Sequence, residues 1–187
     1  MSQDELRQQF VQVAGKIGAE VVEFAEIAGA IAYIAERAGG PLLLPPFASS
    51  QREGLGEKLR LAGCQVIEGD LRPQAAFAAA GVTGANFALA DTGSVVLEST
   101  AEAIRLATTL PERHFVLLDP ATIVADGLAA VPILRRFHQL APRNYLAYIS
   151  GPSRTADIER VLTIGVHGPC ELHILLVEGI SGDFFEM

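Results

Sequence analysis

Short apolar runs separated by glycine, proline and helical stretches are the feature that most constrains this chain. Leu42-Leu43-Leu44, Cys64-Gln65-Val66-Ile67 and apolar runs over 114–118, 145–149 and 172–177 read as strands, and stretches over 52–62, 127–138 and 156–164 read as helices. Strand and helix alternate, and a parallel strand pair needs a crossover that is usually a helix on the sheet face. The fold class expected is therefore α/β, a three-layer α/β/α arrangement with a mostly parallel sheet. With 187 residues, half of them hydrophobic, the chain fills one core and is short for two domains.

Residues 3 to 38 carry apolar positions at helical spacing, Leu6, Phe10, Val13 and Ile17, then Ile27, Ile31, Ile34 and Ala38, and read as two helices. Gly39-Gly40-Pro41 ends them, which divides the chain into an N-terminal helical segment, 1–39, and an α/β domain, 40–187. Pro73 to Ala80 reads as an Ala-rich helix closed by Gly81-Val82-Thr83-Gly84. Asn86 to Ala90 and Ser94 to Glu98 flank Asp91-Thr92-Gly93, the spacing of a β-hairpin. This antiparallel insert breaks the β-α-β rhythm and argues against a plain Rossmann sheet.

The longest apolar runs, such as Phe115 to Leu118 and Ile174 to Val177, fall far below the roughly 20 residues of a membrane-crossing helix. The first residues carry Asp4 and Glu5 where a secretory signal carries basic residues, so a cytoplasmic setting is expected. The two cysteines, Cys64 and Cys170, are far apart in sequence and read as buried thiols; without a CxxC or Cys/His cluster, no metal site and no cofactor is expected in this chain. A net charge of -8 lacks the basic stripe that nucleic acid requires.

Ligands of open α/β sheets gather beyond the carboxyl ends of strands, and Gly151-Pro152-Ser153-Arg154-Thr155 follows the strand at 145–149. Thr155 is a candidate N-cap for a following helix, whose free amides and dipole favour an anion, with Arg154 adding a guanidinium fork. The alternative is plain capping, with Arg154 paired to a local acid. Asp91-Thr92-Gly93-Ser94 offers a glycine turn flanked by hydroxyls, suited either to an oxyanion or to bonding its own backbone. His167, between Gly165 and Gly168, is the general acid or base candidate and equally a loop residue bonded to a carbonyl. Arg105 reads as a solvated or ion-paired side chain, and Glu98 is a nucleophilic carboxylate candidate without a supporting glycine pattern.

Gly151-Pro152-Ser153-Arg154-Thr155-Ala156-Asp157-Ile158-Glu159 with Gly165-Val166-His167-Gly168-Pro169 resembles the C-terminal signature of the LUD domain family, typified by lactate utilisation protein C. Leu89 to Leu97 is similar to that family's central motif, and Arg105, Leu110-Pro111 and Ile123-Val124 also fit; the match covers residues 80 to 178. The resemblance implies a NagB/RpiA/CoA transferase-like α/β fold, with 40–187 as the LUD domain. The chemistry of these motifs gives Thr92, Gly93, Ser94, Arg105, Gly151, Ser153, Arg154, Thr155 and Gly168 as ligand-binding candidates and Asp91 and His167 as catalytic ones. The resemblance also implies a role in oxidising L-lactate to pyruvate.

Two functions follow. One is an accessory subunit that works with iron-sulfur protein partners and binds a small anionic molecule; further copies of the chain are compatible with it. The other is a stand-alone isomerase, transferase or ligase acting on a small phosphorylated or acyl substrate. The enzyme reading requires Asp91, Ser94, Arg154 and His167 around one pocket.

Overall fold

The computed structural model describes residues 1–141, 144–155 and 163–186. Helix α1 (Gln3–Lys16) starts at a capping box, in which Glu5 N donates to Ser2 Oγ (3.3 Å) and Ser2 N donates to Glu5 Oε2 (2.7 Å). It is followed by β1 (Glu20–Phe24), α2 (Ile27–Arg37), β2 (Leu42–Leu43), α3 (Ala48–Arg52), α4 (Leu55–Leu61) and β3 (Val66–Ile67). A short 3-10 turn (Ala75–Phe77) leads to β4 (Ala80–Gly84), β5 (Phe87–Leu89), β6 (Ser94–Glu98) and α5 (Glu102–Thr109). Next come β7 (Arg113–Leu118), a second 3-10 turn (Pro120–Thr122), β8 (Ile123–Val124), α6 (Val131–Leu140) and β9 (Leu146–Ile149). The last strands are β10 (Arg154–Thr155), β11 (Thr163–Ile164) and β12 (Glu171–Val177).

The main sheet runs β1-β12-β7-β4-β2-β3, with every neighbouring pair parallel. Its central strands are apolar on both faces because both faces are covered. Phe115, Leu117 and Leu175 pack toward α2 and α4, whereas Val116, Leu118, Ile174 and Leu176 pack toward α1 and a second sheet. Each such side chain contributes about 1.5–3 kcal/mol on burial.

The expected hairpin is present: β5 and β6 pair antiparallel, Phe87 opposite Val96 and Leu89 opposite Ser94. It grows into a sheet of its own, β8-β5-β6-β9, in which β9 runs antiparallel to β6. One face of that sheet meets α1; the other, through Phe87, Leu89 and Val96, meets α6 and Phe184. The fold is α/β with a parallel main sheet flanked by helices, and its antiparallel insert forms a second layer.

Three expectations need correction. The segment 1–39 is not all helix: Gly18, at φ +90°, stops α1, and the β-branched Val21 and Val22 extend as β1 beside β12, with Val21 opposite Ile174. Pro73 to Ala80 holds only the 3-10 turn, because Ala80 to Gly84 forms a fully buried strand between β2 and β7 and tertiary packing overrides alanine's helix preference. The expected 156–164 helix lies mostly outside the described residues, and its described end, Thr163–Ile164, is strand β11, paired antiparallel with β10. Thr155 accordingly stands opposite Thr163 in a strand pair instead of capping a helix.

The carboxyl edge of the main sheet is crossed by the C-terminal tail. Ser181 N donates to Asp119 Oδ2 (3.1 Å) just beyond β7, Arg52 Nη2 donates to the Ile180 carbonyl (2.6 Å), and Asn86 Nδ2 donates to the Phe184 carbonyl (3.0 Å). At the other edge, α5 approaches β4 so closely that a Cβ on Gly81 would overlap the Ala107 carbonyl oxygen. Backbone cannot yield there as a flexible side chain can. Gly81→Ala is therefore expected to cost about 3 kcal/mol, read as a lowered urea midpoint at unchanged slope.

Candidate functional site

The turn after β9 places Ser150, Gly151, Pro152 and Ser153 against the loop His167–Pro169, and a cavity of about 270 Å³ opens between them. Thr108 and Thr109 at the end of α5, His114 on β7 and Leu172 on β12 complete its walls, with Tyr148 and Ile149 from β9. His114 and Leu172 lie near the starts of their strands. The cavity therefore sits at the amino edge of the main sheet, whereas the sequence places a site beyond the carboxyl ends. The cause is β9, which belongs to the second sheet and runs antiparallel to β6.

The loops are tied together by backbone. Ser153 N donates to the Pro169 carbonyl (2.9 Å) and Gly165 N donates to the Ser153 carbonyl (2.9 Å). Gly168 lies close to Ser153, where an added Cβ would come within 3.0 Å of the serine Cβ. The ligand-binding candidates Gly151, Ser153 and Gly168 and the catalytic candidate His167 thus all line the cavity. His167 is exposed at the mouth.

The remaining candidates lie elsewhere. Asp91 and Thr92 are exposed at the hairpin turn, and neither lines the cavity. Ser94 is buried and reaches the cavity through one neighbour: its Oγ is 2.7 Å from Ser150 Oγ, and it donates to Thr92 Oγ1 (2.9 Å). Gly93, at φ +65°, makes room for α1, since a Cβ there would lie 2.5 Å from Ala14 N. Arg105 Nη1 donates to the Ser99 (2.6 Å) and Thr100 (2.5 Å) carbonyls, away from the cavity. Glu98 Oε1 accepts from Thr100 N (2.9 Å), so this carboxylate holds a turn.

Arg154 turns its guanidinium onto the Ile17 carbonyl at the end of α1. A cation donating to the last carbonyls of a helix satisfies an orphan acceptor and opposes the negative dipole end. Gly151, at φ +80°, faces the same carbonyl, which an added Cβ would overlap, and Pro152 packs beside Gly18. Arg154 Nη2 is thus engaged at the end of α1, and Arg154 is not among the residues that line the cavity.

His114 is a cavity residue that the sequence reading passed over. It is 1% exposed; its Nε2 lies 2.8 Å from Thr83 Oγ1, and its Nδ1 is without a hydrogen-bond partner among the described residues. Burial, assisted by the neighbouring His173, pushes its pKa down to about 3. His173, on the opposite face of the sheet, has both ring nitrogens engaged: Nδ1 is 2.9 Å from Tyr33 Oη and Nε2 is 3.0 Å from Glu171 Oε2. Burial raises the Tyr33 phenol, aided by Glu20, and the hydrogen bond from His173 lowers the Glu171 carboxyl, with Arg113 adding to it. Cys64 is half-buried with its thiol raised by burial, and Cys170 is exposed before β12, correcting the expectation that both are buried. Among the described residues there is no cluster of three or more His, Cys, Asp or Glu placed to hold a metal, and no helix is long and apolar enough to cross a membrane.

The family model described as LUD domain matches residues 7–177. Lactate utilization protein C of Bacillus licheniformis is 30% identical over 95% of this chain and 80% of its own length. The protein of the same name from Geobacillus kaustophilus is 29% identical over 94% of this chain and 80% of its length. A crystal structure of a DUF162 family protein from Deinococcus radiodurans superposes with a TM-score of 0.64 over 95% of this chain and 99% of that one; at 21% identity, this likeness concerns the fold.

Two variants separate packing from recognition. Arg154→Ala should lower stability by about 0.5 kcal/mol in urea unfolding and leave small-molecule affinity unchanged. For His114, the unfolded ring binds a proton near pH 6.5 and the folded ring near 3, so the unfolded state carries the extra proton between them and stability falls as pH drops through that window. Urea unfolding of wild type and His114→Asn at successive pH values should show the wild type losing about 1.4 kcal/mol more per pH unit below 6.5.

Proposed function

The chain belongs to the LUD domain family, and we propose that it serves as a component of an L-lactate utilisation system, an accessory subunit that works beside iron-sulfur proteins and holds a small anionic molecule in the cavity at Ser153 and His167. The observation that carries this reading is the dispersal of the groups an enzyme would need. His167 lines the cavity, Ser94 reaches it only through Ser150, Asp91 stays at the exposed hairpin turn, and Arg154 caps α1. The enzyme reading asks for Asp91, Ser94, Arg154 and His167 around one pocket, and of these four only His167 is among the described residues that line the cavity.

The named relatives supply the lactate connection. Oxidising lactate to pyruvate moves two electrons, and an iron-sulfur cluster is held as a rule by four thiolates. This chain has two cysteines, so a cluster-bearing partner would supply the redox centre. The anion would bind where Ser153, the Gly151 turn and the His167 imidazole converge.

Affinity purification of the full chain from cells grown on lactate is the direct test. An iron-sulfur protein should co-purify in stoichiometric amount, and calorimetry with L-lactate and pyruvate should show binding weakened about tenfold in Ser153→Ala and His167→Ala. Turnover of a phosphorylated or acyl substrate by the isolated chain would overturn the accessory role.

A further inference from the structure

The cavity's chemistry narrows its ligand beyond a small anion; this step rests on the anion reading above. Among the described residues no lysine or arginine lines it: Arg154 faces Ile17 and Arg105 holds the Ser99 and Thr100 carbonyls. A doubly charged phosphate would lie there against Tyr148, Ile149, Pro152, Pro169 and Leu172 without a compensating cation among the described residues, an arrangement that burial penalises heavily. A single carboxylate at the mouth, in reach of water and of His167 and Ser153, avoids that penalty.

Size adds a second constraint. A cavity of about 270 Å³ is near the lower end of those that enclose drug-sized ligands. A lactate-sized acid leaves most of the apolar wall uncovered, whereas a ring-sized body covers Tyr148, Pro152 and Pro169.

The third constraint is His114. His114 is among the residues lining the cavity and is buried, with Nε2 taken by Thr83 Oγ1 and Nδ1 unpartnered among the described residues. Buried polar atoms are paired in nearly all cases, and one left without a partner beside a cavity points to a group that arrives with a ligand. If Nε2-H donates to Thr83, Nδ1 accepts; if Thr83 donates, Nδ1-H donates. Burial keeps the ring neutral, so either tautomer suits an uncharged partner.

We propose that this cavity binds a carboxylic acid with an apolar, ring-sized body and an uncharged hydroxyl or carbonyl group at the end remote from the carboxylate. The remote group pairs with Nδ1 of His114, the body lies against Tyr148, Pro152 and Pro169, and the carboxylate stays at the mouth with Ser153 and His167.

Calorimetry of the full chain with four probes tests this: para-hydroxyphenylacetate, phenylacetate, L-lactate and phenyl phosphate. The hydroxylated acid should bind at least about tenfold more tightly than phenylacetate, because a site built to pair a hydroxyl rejects the analogue lacking it. L-lactate and phenyl phosphate should bind more weakly than phenylacetate. In wild-type protein labelled with nitrogen-15 at histidine, the His114 Nδ1 resonance should move with para-hydroxyphenylacetate and stay in place with phenylacetate, a readout that needs no variant to fold. In His114→Leu the advantage of the hydroxyl should vanish.

Equal affinity for the hydroxylated and plain acids, or an unmoved Nδ1 resonance, overturns this inference and leaves the anion reading intact. Tightest binding of phenyl phosphate overturns it as well. Failure of every acid to bind overturns both the inference and the anion reading, while capture of an iron-sulfur protein tests the accessory role separately.

Discussion

The end of α1 is the point on which both motif turns depend. Gly93 of the hairpin turn lies against the backbone of Val13 and Ala14, and Gly151 of the turn after β9 faces the Ile17 carbonyl, which also accepts from Arg154. Both glycines have positive φ, so a side chain would be strained by the backbone before it clashed with the helix. Gly18 completes the contact from the helix side, with Pro152 and Arg154 against it. Two turns distant in sequence are thereby set against one helix end, and that fixes the distance between β6 and the Ser150–Ser153 turn. The Ser94–Ser150 hydrogen bond is a consequence of this placement.

The same clasp explains where the cavity opens. With β9 held on the second sheet and its turn fastened to α1, the chain must cross to β12 by way of the His167 loop, and the space left under that crossing is at the amino ends of β7 and β12. The usual ligand position in open α/β sheets, at the carboxyl ends, is here crossed by the tail through Asp119, Arg52 and Asn86. The second sheet therefore does more than interrupt a β-α-β rhythm; it moves the recessed surface to the other edge of the main sheet.

Much of the fold was legible because its signals are local. The apolar runs at Phe115–Leu118 and Ile174–Val177 read as strands of a covered sheet, and Asp91-Thr92-Gly93 between two apolar runs reads as a hairpin turn. What was not legible depends on partners far away in sequence. Val21 and Val22 become a strand because β12 offers a free edge, and Gly81 sits in a strand because Ala107 needs its backbone. For the cavity wall, Gly151, Ser153, His167 and Gly168 could be named from the sequence because glycine and hydroxyl residues mark a loop as chemical, whereas His114 could not, because it opens an apolar strand and is distinguished by an Nδ1 without a partner among the described residues. Arg154 is the opposite case: an arginine beside hydroxyls suggests an anion, and nothing local shows that its guanidinium also reaches a helix end 137 positions away.

A motif can therefore identify a family through residues that hold the fold and leave the ligand to their neighbours. In Gly151-Pro152-Ser153-Arg154, the glycine, the proline and the arginine all contact the end of α1, and Ser153 alone combines a place in the cavity wall with a backbone tie to the His167 loop. Packing constraints of this kind are shared by every chain that builds the same clasp, whatever it binds. Recognition then falls to residues outside the motif: Tyr148 on the edge strand, Thr108 and Thr109 at the end of α5, and His114 on β7. These can change without disturbing the clasp, so one scaffold can keep its family signature while the chemistry of its cavity differs from member to member.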